Sequence, residues 1–297
     1  MKILITGALG YIGGECLLRF SQRPDITVYA IDNDCKAIAD RGAFFQRYSN
    51  IHIVNCDITD IDQLRKVPQV DIVVHLAAKV GYVSSSSDPR ATEQINVLGT
   101  ANIASLYTPT IFFSTGSVYG RIGKVCDETV TPNPQTVYAQ TKLLGEHALQ
   151  NVEHVIFRPA TAYGLSLKVR HDLIVHDLIQ QIIKNSRVEI YQPTAMRSFY
   201  SVQKLAELVE YTCDHFDKFK NKVFNVGCDS GNVTKQQLVD LLKLHLEFEY
   251  ATVDGADADT RDYNVDYSLL AQSWTHQNEC FENNLISVID YYSQWTK

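Results

Sequence analysis

Seven residues near the amino terminus, Gly7-Ala8-Leu9-Gly10-Tyr11-Ile12-Gly13, constrain this chain more than any other stretch. They stand between a short apolar run, Lys2 to Thr6, and a segment from Tyr11 to Phe20 that can be helical, with the β-rich run Ile26 to Ile31 beyond it. Strand, glycine turn, helix and strand make a βαβ unit. Glycines at such a turn let the backbone approach a diphosphate closely, and the helix amino terminus meets the negative charge. The spacing is G-x-x-G-x-x-G rather than G-x-G-x-x-G, so the flanking strand and helix are what make the motif specific.

Further apolar runs at Ile51 to Val54, Ile72 to Leu76, Ile111 to Phe113 and Val155 to Phe157 are separated by stretches long enough for crossover helices. They are continuously apolar, as strands buried on both faces must be. The expected fold is therefore α/β: a Rossmann-type, doubly wound parallel sheet, with a smaller and less regular carboxy-terminal substrate domain. Residues 1–160 are expected to form the dinucleotide-binding domain, with a segment near 195–225 a candidate to complete its sheet, and 161–297 mainly the substrate domain. In that second part, helices are expected over Asp172 to Ile183, Val202 to His215, Lys235 to Leu246 and Leu285 to Trp295, and strands at Val188 to Tyr191 and ending at Asn225-Val226-Gly227. The run Ser84 to Ser87 reads as a loop.

Composition narrows the function. A formal charge of −7 leaves no basic footprint for nucleic acid. The seven cysteines are scattered singly, with no C-x-x-C pair, which fits reduced thiols and offers no metal site. Gly7 interrupts the first apolar run far short of a signal-peptide core or a membrane span, so a cytoplasmic location is expected.

Three residue clusters carry chemistry. The second strand ends in Ile31-Asp32-Asn33, where an acidic residue accepts hydrogen bonds from an adenosine ribose. Asp32 predicts NAD over NADP, because a 2′-phosphate would meet a like charge and Asn33-Asp34 bring no arginine to compensate; a solvated aspartate in a turn is the plainer reading. In Tyr138-Ala139-Gln140-Thr141-Lys142 the i, i+4 spacing puts phenol and ammonium on one helix face. The cation favours phenolate, so the pair can exchange a proton with a sugar hydroxyl or carbonyl, although a surface pair has the same spacing. Between these clusters, Phe113-Ser114-Thr115-Gly116-Ser117-Val118-Tyr119-Gly120 follows an apolar strand, at the sheet edge where ligands bind. Thr115, Ser114 and Ser117 can each donate to a reacting oxygen.

Together, in this order, the clusters resemble the extended short-chain dehydrogenase/reductase superfamily, in particular its NAD-dependent nucleotide-sugar epimerase/dehydratase family, over nearly the whole chain. The resemblance implies a catalytic Thr115, Tyr138 and Lys142. It implies cofactor contacts from Gly7, Gly10, Tyr11, Ile12, Gly13, Asp32 and Asn33, from the adenine-contacting pair Asp57-Ile58, from Leu76, Ala77 and Ala78 of an H-x-A-A segment, and from Asn96, Ser114 and Pro159. For the sugar it implies Val80, Gly81 and the serines Ser84, Ser85 and Ser86, with His176 standing where an Asn is expected. For the nucleotide diphosphate it implies Arg197 and Arg261, whose planar forks suit phosphate. A flexible surface turn and surface ion pairs are the plainer readings of those serines and arginines.

Gly116 and Ser117 replace the Asp-Glu pair of the dehydratase subgroup, which disfavours water elimination. The activity implied is a nucleotide-sugar 4-epimerase that oxidises C4 to a transient 4-keto sugar and reduces it again. A 4-dehydrogenase or 4-ketoreductase needs the same residues, and a non-catalytic NAD-sensing scaffold is the alternative of another class. The resemblance also implies a homodimer packed through the helix after Asn96 and the helix carrying Tyr138.

Overall fold

Runs such as Ile3 to Ile5 and Ile111 to Phe113 are continuous because both faces of the strand are buried, whereas the edge strand at Ile51 to Asn55 is exposed at His52 and Asn55. In the computed structural model, which describes residues 1–254, 262–276 and 278–294, seven strands form one parallel sheet. They are β1 (Lys2–Thr6), β2 (Thr27–Asp32), β3 (Ile51–Asn55), β4 (Ile72–His75), β5 (Thr110–Phe113), β6 (His154–Pro159) and β7 (Lys222–Val226), in the order β7-β6-β5-β4-β1-β2-β3. Strand order reverses between β1 and β4, which opens a crevice at their carboxyl ends. The helices of eight or more residues are α1 (Tyr11–Phe20), α2 (Gly99–Leu106), α3 (Val137–Ala148), α4 (Ile174–Asn185), α5 (Val202–Asp214), α6 (Lys235–Lys243) and α7 (Phe281–Ser293).

Helices α1 and α5 cover one face, where Leu17, Phe20, Leu205 and Val209 share a core with Phe157 and Phe224 of the sheet. Arg23 ties the two helices at the rim through Glu210 and Asp214. A second core lies outside the sheet. Val175, Ile179, Leu238, Leu285 and Val288 from α4, α6 and α7 enclose Phe199, whose ring stacks on Phe281 at 5.2 Å. Three short strands, 161–163, 196–201 and 232–234, connect this unit to the sheet, and 187–191 pairs in parallel with 249–253.

Three elements differ from expectation. Tyr82–Ser87 is a short helix, not a loop, because its serines bond back to the preceding turn: Ser85 Oγ donates to the Gly81 carbonyl at 2.6 Å, and Ser87 Oγ to that of Ser84 at 2.9 Å. Helix α7 starts at Phe281, one turn before Leu285, since Phe281 is buried between Phe199 and Tyr163. The amphipathic stretch starts as a helix at Ile174, because Asp172 is engaged by Arg170. Among the described residues no helix is long and apolar enough to cross a membrane, and no group of three or more His, Cys, Asp or Glu could hold a metal ion.

Candidate active site

A cleft of about 1450 Å³ follows the crevice at the carboxyl ends of β1, β2, β4 and β5. Its floor at one end is the glycine turn. Gly7 has φ +62°, and a Cβ there would stand 2.8 Å from the Ala77 backbone after β4; at Gly13 a Cβ would stand 2.4 Å from the Gly7 carbonyl. Only glycine allows strand, turn and helix to close this tightly. Gly10, Tyr11 and Ile12 line the cleft beside them. Asp32, at the end of β2, is fixed by backbone donors: Oδ2 accepts from Leu9 N at 3.0 Å and Oδ1 from Asp34 N at 3.1 Å. Asn33 donates to Asp57 at 3.0 Å, and Ile58, Leu76, Ala77 and Ala78 complete an apolar slot. A cradle that a Cβ would fill, followed by a fixed carboxylate at the second strand, fits NAD.

The ribose end holds two cations that the sequence order does not reveal. Arg41 lines the cleft and donates from Nε to the Leu9 carbonyl at 3.0 Å, and both Arg41 and Lys168 act electrostatically on Asp34. The absence of an arginine directly after Asp32 is thus partly offset in space.

At the other end, α3 begins at Thr136, whose Oγ1 accepts from Ala139 N at 3.2 Å, so Tyr138 and Lys142 occupy the first two turns. Both line the cleft. Lys142 is 2 % exposed, with Nζ 4.0 Å from the centre of the Phe112 ring. Burial pushes its ammonium down to about 7, against the pull of the Glu146 carboxylate. Thr115 caps the turn Gly116–Tyr119: its Oγ1 accepts from Ser117 N and donates to Ser117 Oγ, each at 3.2 Å. Ser114 also lines the cleft, but its hydroxyl donates to Glu146. Of the three hydroxyls read from the sequence, Ser114 is therefore committed to the protein and Thr115 and Ser117 face one another at the cleft. Pro159 lines it from the end of β6. Asn96 lies beneath, fully buried, where it accepts from Lys79 N at 2.8 Å and donates to Lys79 O at 3.1 Å and Thr141 Oγ1 at 3.0 Å. It joins the loop after β4 to α3.

The expected sugar-binding residues separate into two groups. Val80, Gly81 and Ser84 line the cleft, whereas Ser85 is buried on its bond to Gly81 and Ser86 is exposed and not part of the lining. His176 is fully buried: Nε2 accepts from Gly164 N at 3.2 Å, and Nδ1 lies 3.1 Å from the Tyr292 hydroxyl. Burial pushes it down to about 4, so it is neutral. Arg197, 3 % exposed, donates to the Met196 carbonyl and is absent from the lining. Arg261 lies outside the described residues. What the sequence missed is Arg170, which lines the cleft in a bidentate pair with Asp172 at 2.7 and 2.6 Å, 3.5 Å from where a Cβ on Gly81 would be, and within electrostatic reach of Tyr138. Gln181, Glu189, Tyr191 and Lys235 extend the same cleft. These come from separate elements and form no motif.

The profile of the NAD dependent epimerase/dehydratase family matches residues 3–227. This chain belongs to that family. Membership makes NAD the cofactor and this family member an NAD-dependent enzyme, in keeping with the glycine cradle. Among its relatives, UDP-glucuronate 4-epimerase 4 of Arabidopsis thaliana is 26% identical over 289 residues, spanning 83% of this chain and 64% of that protein. UDP-glucuronic acid decarboxylase 6 of the same plant is 23% identical, over 90% of this chain and 81% of that protein. The solved structure of a UDP-glucuronic acid 4-epimerase from Bacillus cereus, in complex with UDP-glucuronic acid and NAD, superposes with a TM-score of 0.86 at 23% identity, covering 99% of this chain and all of the other. That likeness shows the shared fold.

Proposed function

We propose that this family member is a nucleotide-sugar 4-epimerase. The observation that carries the reading is that Thr115, Tyr138 and Lys142 line the same cleft as the glycine cradle, at the carboxyl end of β5 and the start of α3. Bound NAD supplies reversible hydride acceptance at the sugar C4. Tyr138 takes the proton of the C4 hydroxyl and later returns it, the charge of Lys142 favours the phenolate between those two events, and Thr115 holds the C4 oxygen. The keto sugar must turn over between removal and return, and the polar wall of Ser84, Arg170 and the cleft beyond leaves room for a nucleotide to stay anchored while it does. The 4-epimerase names of several relatives support the same reading.

The test is mass spectrometry of the purified protein for bound cofactor and co-purifying nucleotide sugar, followed by NMR of UDP-glucose and UDP-glucuronic acid incubated with it. Inversion at C4 without net change in the cofactor is expected. Stoichiometric cofactor reduction with a stable keto product would replace the epimerase by a one-way oxidoreductase, and bound NAD with no exchange on any sugar would favour the sensing scaffold. The proposal extends to a homodimer through the helices around Leu98 and Leu144, which are 48% and 45% exposed although both belong to packed helices. Sedimentation at micromolar concentration should show two copies; a monomer would remove this part.

A further inference from the structure

Behind the Tyr138 and Lys142 pair stands a buried polar network that the reaction itself does not use. Glu146 lies one helical turn beyond Lys142 on α3, on the same face, and is 4% exposed. Arg158 reaches it from β6 with two parallel bonds, Nε to Oε1 at 3.0 Å and Nη2 to Oε2 at 2.7 Å. Oε1 also accepts the hydroxyl of Ser114, the residue before Thr115. Arg158 continues through Nη1 to the Tyr119 hydroxyl at 3.1 Å, and Tyr119 donates to Asn225 at the end of β7 at 2.7 Å. One carboxylate therefore touches the helix of the base, the turn of Thr115 and, through Arg158, two strands. Desolvation offsets the Coulomb attraction of such a buried pair, so stability alone is a weak account of it.

We infer that Glu146 is a positioning residue that keeps Lys142 charged and holds the Ser114–Thr115 turn against α3. The inference rests on the assignment of Tyr138 and Lys142 as the proton-transfer pair. On α3 Lys142 lies one turn after Tyr138 and one turn before Glu146, whose carboxylate acts on it electrostatically, and it meets the Phe112 ring from β5 and His75 from β4. Burial, with the nearby Lys142 cation, pushes His75 down to about 3, so it stays neutral in the working range and adds no charge. Arg158 and Tyr119 approach through Glu146. Among these groups Glu146 is the anion that opposes the burial of the ammonium. Its negative charge favours the charged form of Lys142, which is lost as pH rises, so a neutral replacement must move that loss to lower pH.

The experiment follows the side-chain resonance of isotope-labelled Lys142 across pH in the NAD-loaded protein, assigned with Lys142→Arg. In Glu146→Gln the midpoint should fall by about one pH unit, a tenfold loss in proton affinity, while Glu146→Asp, which keeps the charge, should titrate near the parent. If Glu146→Gln does not fold, the double variant Glu146→Gln/Arg158→Gln, which leaves no unpaired guanidinium, should show a smaller fall in the same direction, because a cation leaves with the anion. An unmoved midpoint, or equal displacement in the Asp and Gln variants, overturns the inference. This readout does not depend on turnover, so a failure of the epimerase reading, seen as a Tyr138→Phe variant with undiminished activity, stays distinguishable from it.

Discussion

The two ends of the cleft recognise their ligands by different means. At the cofactor end the backbone does the work: Gly7 and Gly13 exclude side chains so that turn, helix and β4 meet within contact distance, and Asp32 is held by two main-chain donors. At the sugar end the lining is a set of side chains from distant segments, Ser84 from the helix after Gly81, Arg170 from the loop after 163, and Glu189 and Tyr191 from a separate ladder. The first arrangement is written in consecutive residues. The second exists only after the chain has folded, and its members depend on buried braces such as His176. A backbone site should fail steeply when one glycine gains a methyl group, whereas a side-chain site should lose function in small, separable steps.

The largest effect expected is on stability in acid. His75 braces the cofactor end through Thr6 and Thr100, His176 braces the sugar end through Gly164, and burial pushes them down to about 3 and about 4. The unfolded chain binds both protons first as pH falls, so the stability is fully present above about pH 6.5 and declines below it, by several kcal/mol near pH 4. Urea denaturation at pH 7 and pH 4.5 measures this. A His176→Gln variant should lose part of the slope, and an identical slope would mean that the sugar end does not contribute to it.

Next comes Tyr138→Phe, which removes proton transfer alone. Turnover should fall at least about a hundredfold while NAD affinity stays close to that of the parent. Near-normal turnover would reject Tyr138 as the acid and base. Gly13→Ala tests the backbone end: with its Cβ 2.4 Å from the Gly7 carbonyl, NAD should bind about tenfold more weakly or worse in a calorimetric titration. Unchanged affinity would show that the turn yields and that the two ends are not so different. The smallest effect separates neighbouring serines. Ser84→Ala should change the preference between sugars by a few-fold, as expected for the loss of one hydrogen bond, while Ser86→Ala, off the lining, should change nothing. Equal effects from the two variants would dissolve the assignment of Ser84 to the cleft wall.

The sheet was legible because its strands are short continuous apolar runs with glycine or polar stops, and six of them are named by that pattern alone. The seventh, β7, was visible through its end at Asn225-Val226-Gly227. The serine run was misread as a loop because serine hydroxyls that bond back within their own turn leave no trace in composition. Strands 161–163, 196–201 and 232–234 were missed because polar residues are mixed into each, as in Met196–Ser201, and none shows a continuous apolar run. His176, expected at the sugar, and Arg197, expected at the diphosphate, lie in the interior, since a polar residue type does not state which way it faces.

By itself the sequence determined the features that depend on neighbours in the chain: the strand, turn and helix of the glycine motif, the carboxylate at the end of β2, and the phenol and ammonium one helical turn apart. Only the tertiary structure decided which of those groups are free to act. It committed Ser114 to Glu146, brought Arg41 and Lys168 to the ribose end, turned Ser85 inward and placed Arg170 beside Gly81. Backbone conformation is set by local sterics and hydrogen-bond period, whereas the availability of a side chain is set by burial and by partners tens of residues away.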